Sequence, residues 1–293
     1  MEGYLHPLYA QSFSDIGEPI FLPKSKGWLI KRQIPETNYY DAMGPYPLFF
    51  CEDYESVLSD FDDLKDQLVS ISMVIGPFAK FPLEMYKAYF DIFYSYKDHY
   101  ILDTRQPLLE SISKYSRQDA RKALKNVSVA WQIAPNIDLD EWVRLYDHLI
   151  KRHNITGIRT FSRNCFSKQI KIPSTHFFKA SHKGEVVAGN LYYLQGDVAY
   201  GHLLALTPKG YQFGASHAIK WITIQQLSKS VRWIDFGGGT GKQDGLVSFK
   251  NGWSNTTGKS YFCGKILNHE IYQQLALNGN ERDWFPVYRS GDF

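Results

Sequence analysis

The residues of this 293-residue chain whose types and spacing could do chemistry gather in its second half. The run Val231-Arg-Trp-Ile-Asp-Phe-Gly-Gly-Gly-Thr-Gly-Lys242 leads an expected strand into glycines, with Asp235 at the strand's end. Glycine amides let a ligand approach the backbone closely. The run lacks the Gly-Lys-Ser/Thr ending of a phosphate-binding P-loop. It also comes too late, and after the wrong strands, for a dinucleotide fold. By themselves the glycines read as a structural turn. In Ala199-Tyr-Gly-His-Leu-Leu204, strand alternation puts Tyr200, His202 and Leu204 on one face. An imidazole there could accept the proton of an attacking amine, or be a hydrogen-bonded core histidine. Asp235 is the competing base, unless its carboxylate only anchors the glycine turn. Lys114, Arg117, Arg121 and Lys125 follow at intervals of 3, 4 and 4 and form one basic helical stripe. Such a stripe can hold a diphosphate or nucleic-acid phosphate, or be a solvated face. Nine histidines show no zinc spacing, and no Gly-x-Ser-x-Gly elbow occurs.

The elements that must position these groups follow from periodicity. Thr175–Ser181, Val186–Leu194 and Val198–Leu206 are three short strand patterns joined by Gly-containing turns, an antiparallel meander. A helix over about 213–228, a strand over Val231–Phe236, the glycines, a strand over Lys259–Ile266 and a helix over His269–Leu277 complete this half. Before the meander, Asp138–His153 has a helical apolar face, with Asp138 as N-cap and Glu141 as its capping-box partner. The first half is less regular. It reads as a strand at Gly27–Gln33, helices over Asp53–Leu68 and Pro82–Phe93, and strands at Val69–Ile75 and His99–Asp103; the second half opens with a helix over Leu108–Asn126 and a strand at Val127–Ile133. The fold class is α/β, α+β in strict usage.

A 44% hydrophobic and 16% aromatic composition can bury a sizeable core, and the length fits one large domain or two lobes. A net charge of +3 argues against a nucleic-acid binder that relies on a global positive field. Three dispersed cysteines, Cys51, Cys165 and Cys263, point to a reducing compartment. No leader-like apolar segment and no run of about 18 apolar residues is found, so a soluble, cytoplasmic protein is expected.

The combination of Trp233-Ile-Asp-Phe-Gly-Gly238 with Gly245-Leu-x-x-Phe-Lys-x-Gly-Trp253 resembles the C-terminal signature of the Fem-type peptidoglycan aminoacyltransferases, within the GNAT acyltransferase superfamily. The basic helix at Tyr115–Lys125 resembles the one that opens their second half, and Asp41-Ala-Met-Gly-Pro-Tyr-Pro47 resembles a motif of a bacterial GNAT subgroup. The resemblance implies two GNAT-like lobes, 1–106 and 107–293, each a mixed, mainly antiparallel sheet flanked by helices. It implies that Lys250, with Phe249, binds the reacting end of the acyl donor. It also implies that the turn after the third meander strand cradles coenzyme A through Tyr211, Gln212, Phe213, Gly214, Ala215 and Ser216. Tyr211 stands where the family has Arg or Gln, and a plain helix start also explains this turn. Arg117, Arg121, Lys125 and Tyr46 become candidate substrate contacts. The expected function is transfer of an acyl group from acyl-CoA, most simply acetyl-CoA, to a small-molecule, peptide or sugar amine, with no metal. The missing helical-hairpin insertion of some tRNA-using relatives favours acyl-CoA. The alternatives are an aminoacyl-tRNA-dependent ligase acting on a cell-wall precursor and a catalytically silent binding module.

Overall fold

The computed structural model of the protein describes residues 1–239, 245–277 and 284–290. The first half contains α1 (Pro7–Gln11), β1 (Glu18–Leu22), β2 (Gly27–Gln33), β3 (Tyr40–Met43), α2 (Val57–Asp62), β4 (Ser70–Ile75), α3 (Leu83–Tyr89) and β5 (Ile92–Asp103). The second contains α4 (Leu108–Ser111), α5 (Lys114–Ala123), β6 (Ser128–Ile133), α6 (Leu139–His153), α7 (Arg163–Gln169), β7 (Thr175–His182), β8 (Glu185–Gln195) and β9 (Val198–Leu206). It closes with α8 (Pro208–Gln212), α9 (Ala215–Leu227), β10 (Trp233–Gly238), α10 (Gly245–Asn251), β11 (Thr256–Ile266) and α11 (His269–Ala276).

All the described strands form one sheet in the order β1-β2-β3-β4-β11-β5-β10-β9-β8-β7-β6. Neighbours are antiparallel except β3/β4 and β9/β10. The order is a tandem pattern: in each half an antiparallel run ends in a strand that pairs in parallel with the next one, reached through helices. The last strands are exchanged across the middle, with β11 against β4 and β5 against β10.

The central strands read as unbroken apolar runs because both of their faces are covered. Leu191 and Tyr193 enter a core shared with α6, α7 and the N-terminal turn. Their neighbours Phe178, Ala188 and Tyr192 enter a second core against α9 and α5. The N-terminal segment lies on the second half of the sheet. Gly3 N donates to Ser174 Oγ at 2.7 Å, and Tyr4 N to Gln195 Oε1 at 3.1 Å. Turns with positive φ at Lys183, Gly184 and Gly196 close the meander hairpins.

Several elements differ from the sequence expectation. The helix expected over Asp53–Leu68 shrinks to α2. Asp53 caps an Asx turn by accepting from Glu55 N and bonding Ser56 Oγ, which competes with helical pairing. The helix expected to reach Phe93 stops earlier, because Ile92 and Phe93 pair with Gly264 and Cys263 of β11. The helix over Leu108–Asn126 is split into α4 and α5, with Ser113 N bonded to Gly252 O at the break. Asp138 caps α6 through Asp140 N and Glu141 N, but the Glu141 carboxylate pairs with Lys179 Nζ at 2.7 Å.

Candidate active site

Strands β9 and β10 pair through Val198–Trp233, Ala199–Ile234 and Tyr200–Asp235, and the pairing stops there although both strands continue. Two irregularities open the wedge. On β9, Gly201 lies opposite Tyr192 and Leu203 opposite Leu191, so His202 is a bulge residue without a partner. On β10, the register with β5 shifts between Asp235 and Gly238, and Gly237 has φ of 82°. A side chain at Gly201 would put a Cβ 3.1 Å from Asp235 O and 3.3 Å from Tyr192 Cε1, so glycine alone keeps this apex clear.

Asp235 is locked at the wedge. One carboxylate oxygen accepts from Gly237 N at 2.7 Å, and the other meets His99 Nδ1 at 2.8 Å. Asp235 is 2% and His99 6% exposed, which makes this a buried pair between β10 and β5. The far side of the His99 ring faces Gly238, whose Cβ would lie 3.4 Å from Nε2. The anchoring role read from the sequence is thus present, and it is combined with a histidine that no local signal announces.

Helix α10 brings Lys250 to the same place, where Nζ donates to Gly238 O at 2.7 Å and lies 3.3 Å from a Cβ at Gly237. Phe249 packs on His217 of α9 at 4.9 Å and on Trp253 at 6.4 Å. On α9, the buried Lys220 bonds Asn190 and Tyr192 and lies 4.8 Å from the Phe236 ring. Lys220 was missed in the sequence reading. The signal was there: it is the only charged residue between Phe213 and Leu227. Residues 240–244, the remainder of the glycine run with Lys242 and Asp244, lie outside the described residues.

The bulge changes the expected face of His202. Before it Tyr200, and after it Leu203 and Ala205, enter the core with α6, whereas Leu204 packs into the opposite core. Tyr200, His202 and Leu204 therefore do not share one face. The His202 ring sits among Tyr4, Tyr9, Phe161 and Tyr193, with centroids 5.0–5.9 Å away, and Nδ1 meets the Tyr4 hydroxyl at 3.2 Å. Burial pushes its pKa down to about 3, so the ring is neutral. Tyr46 joins the same aromatic region rather than the wedge. Its ring lies 6.0 Å from Phe161, and its carbonyl accepts from Tyr9.

The expected coenzyme turn is a short helix, α8, capped by Thr207, then Gly214 at φ 62° and the start of α9. Ala215 is buried, while Gln212 is exposed and Phe213 stacks on His182 at 4.2 Å. The Tyr211 ring, 38% exposed, carries the guanidinium of Arg152 from α6 3.9 Å above it. Ser216 lies in the first turn of α9. Three residues of the basic stripe lie on α5, which packs beside α9, and Lys125 follows its C-cap: Lys114, Arg121 and Lys125 are exposed and Arg117 is half-buried. Among the described residues, no three His, Cys, Asp or Glu side chains gather where a metal ion could sit. No helix among them is long and apolar enough to cross a membrane.

Residues 111–245 match the model of the Acetyltransferase (GNAT) domain. No curated protein matches the chain. Among solved structures, FemX is similar over 92% of this chain and 93% of its own, with a TM-score of 0.65 and 15% identity. The C-terminal domain of a putative lysylphosphatidylglycerol synthetase from Agrobacterium fabrum is similar over 92% and 89%, with a TM-score of 0.63 and 13% identity. L-PGS from Bacillus licheniformis is similar over 94% and 96%, with a TM-score of 0.61 and 12% identity. At these identities the likeness is one of fold.

Proposed function

We propose that this chain is an acyltransferase of the GNAT superfamily that takes its acyl group from acyl-CoA in the wedge between β9 and β10 and passes it to an amine. The observation that carries the reading is the wedge itself. Two parallel strands part at Tyr200–Asp235, glycines clear the opening, and Lys250 reaches its rim. Such a gap accepts an extended thioester chain. The start of α9 at Gly214–Ser216, with Tyr211 and Arg152 beside it, suits the donor's phosphates through helix-end amides and charge.

In this reading the amine attacks the thioester carbonyl, a C–N bond forms, and the C–S bond breaks to release the thiolate, which leaves as the thiol once it takes up the proton the amine gives up. Lys250 supplies positive charge where the carbonyl oxygen becomes negative. The leaving proton of the amine goes to Asp235 and its partner His99. We assign it there rather than to His202, since a ring that burial holds near pKa 3 is a weak base. His202 and Tyr46 instead shape the aromatic wall from which an acceptor approaches. Most of the rate enhancement comes from holding donor and amine together.

The test is thermal stability with acetyl-CoA, longer acyl-CoAs and free CoA, for the wild type and Lys250→Ala. An increase in melting temperature for the wild type alone supports the reading. No increase with any of them removes acyl-CoA as the donor. A second reading is favoured by the exposed cations on and just after α5, Lys114, Arg121 and Lys125: an aminoacyl-tRNA donor held along that stripe. Salt-sensitive tRNA binding, lost in an Arg121→Glu/Lys125→Glu double variant, is its signature. Binding of neither donor by a folded protein is the outcome for a silent module.

A further inference from the structure

Lys220 is a lysine in the interior whose hydrogen-bond partners are both neutral. It is 5% exposed, and Nζ donates to Asn190 Oδ1 at 3.1 Å and to the Tyr192 hydroxyl at 2.7 Å. The Tyr192 and Phe236 rings lie 5.1 and 4.8 Å from the same atom. Burial drives this amine down to about 7, Lys250 acts in the same direction, and Asp235 opposes them. A Met side chain would fill this position without desolvating a charge, so the lysine is kept at a cost in stability.

Its contacts converge on the wedge apex. Asn190 Nδ2 donates to Leu203 O at 2.8 Å, the first carbonyl beyond the unpaired His202. The Tyr192 ring closes against Gly201, the residue before the bulge. Phe236 is the first residue of β10 past its last pairing with β9. One ammonium thus reaches, through single side chains, the β9 backbone after the bulge, the glycine before it, and the start of the free end of β10.

We propose that Lys220 is a positioning residue for the donor: through Asn190 and Tyr192 it holds the bulged segment of β9 in its open geometry. The link to the donor rests on the reading given above, whereas the holding role does not.

The test compares Lys220→Met, Lys220→Arg and Tyr192→Phe in the full chain by thermal melting, by hydrogen exchange of residues 201–206 and by calorimetric binding of acetyl-CoA. The Met variant is expected to melt at or above the wild-type temperature, because it removes a buried charge. Its amides at 201–206 should exchange about tenfold faster, with acetyl-CoA bound about tenfold more weakly. Lys220→Arg restores binding to within about threefold, and Tyr192→Phe, which keeps the ring, falls between them. Unchanged exchange at 201–206 overturns the proposal. So does a lower melting temperature with faster exchange across the whole sheet, which makes Lys220 an ordinary stabilising residue. Should Lys220→Met not fold, Tyr192→Phe decides by the same exchange comparison. Failure of the wild type to bind acetyl-CoA removes the donor reading on its own, and the exchange result still settles the holding role.

Discussion

β3 and β4 run parallel through Ala42–Ile71 and Met43–Ser72, as β9 and β10 do through their three pairs, and in both places the regular pairing soon ends. In the first half the chain then returns to fill the gap. Gly44 N bonds Ser72 O at 2.8 Å, Phe49 N bonds Val74 O at 2.7 Å, and a parallel bridge joins Phe49 to Ile75. Phe49 is fully buried and Leu48 5% exposed, so the space is sealed with apolar side chains. In the second half the same divergence is left open by Gly201, by the bulge at His202 and by the turn at Gly237, with Lys250 and Lys220 around it. The charges differ in the same way. The buried cation of β2, Arg32, and Arg289 of the C-terminal segment both bond the Asp41 carboxylate, at 3.2 and 2.8 Å. The second half leaves Lys220 with neutral partners. One topology therefore yields a structural lobe or a candidate active site according to what fills the gap between two parallel strands.

That contrast can be broken at four points. The largest effect is expected from Asp41→Ala, which leaves two buried guanidinium groups without their carboxylate. Removing one partner from a buried ion pair costs about 3–5 kcal/mol, to be read as a loss of stability in denaturant unfolding without a direct effect on the wedge. Lys250→Ala should leave the unliganded stability nearly unchanged. It should abolish the donor's contribution, which is about 2.7 kcal/mol for a ligand at 100 times its dissociation constant. Matched glycine variants come next. Gly44→Ala puts a Cβ 3.0 Å from Met73 Cβ and Phe49 Cβ, and Gly201→Ala puts one 3.1 Å from Asp235 O. Overpacking of this kind costs about 1–3 kcal/mol at either site, but only the Gly201 variant should lose acetyl-CoA binding in calorimetry. Equal loss from both would dissolve the distinction between the two gaps.

A last effect is confined to acid. Burial holds His202 near 3 and His176 near 4, below the ordinary histidine value, so the unfolded chain binds more protons than the native one as pH falls below about 6.5. Stability from these rings is present above that pH and is lost toward pH 3–4, at up to about 1.4 kcal/mol per pH unit for each. His202→Phe should flatten the acid limb of stability against pH, measured by urea unfolding between pH 7 and 4. An unaltered limb would place the sensitivity elsewhere.

How far each feature could be read from the sequence follows from how local its cause is. The helix α6 was legible because its apolar face and its Asp138 cap are both written within one segment. The β7–β8–β9 meander was legible because turn residues with positive φ sit between apolar runs. Only part of β5 was legible, since it extends to Ile92 by pairing with β11, some 170 residues later in the chain, and a register shift breaks its alternation. Lys250, Asp235 and the glycines were legible as a motif. His99 was not, because its partner Asp235 lies 136 residues away.

The sequence by itself determined the class of fold, the meander, the basic helix and the glycine run that ends in Phe249-Lys250. Those depend on periodicity, turn chemistry and residue type, which act over a few residues. Only the tertiary structure decided that His202 bulges out of register into an aromatic core. It alone decided that Asp235 is locked to His99, that an α6 arginine covers Tyr211, and that Lys220 points at the wedge apex. Each of these is set by strand pairing and by burial between segments far apart in the chain, where a one-residue shift of register or a change of neighbour reverses what a side chain can do.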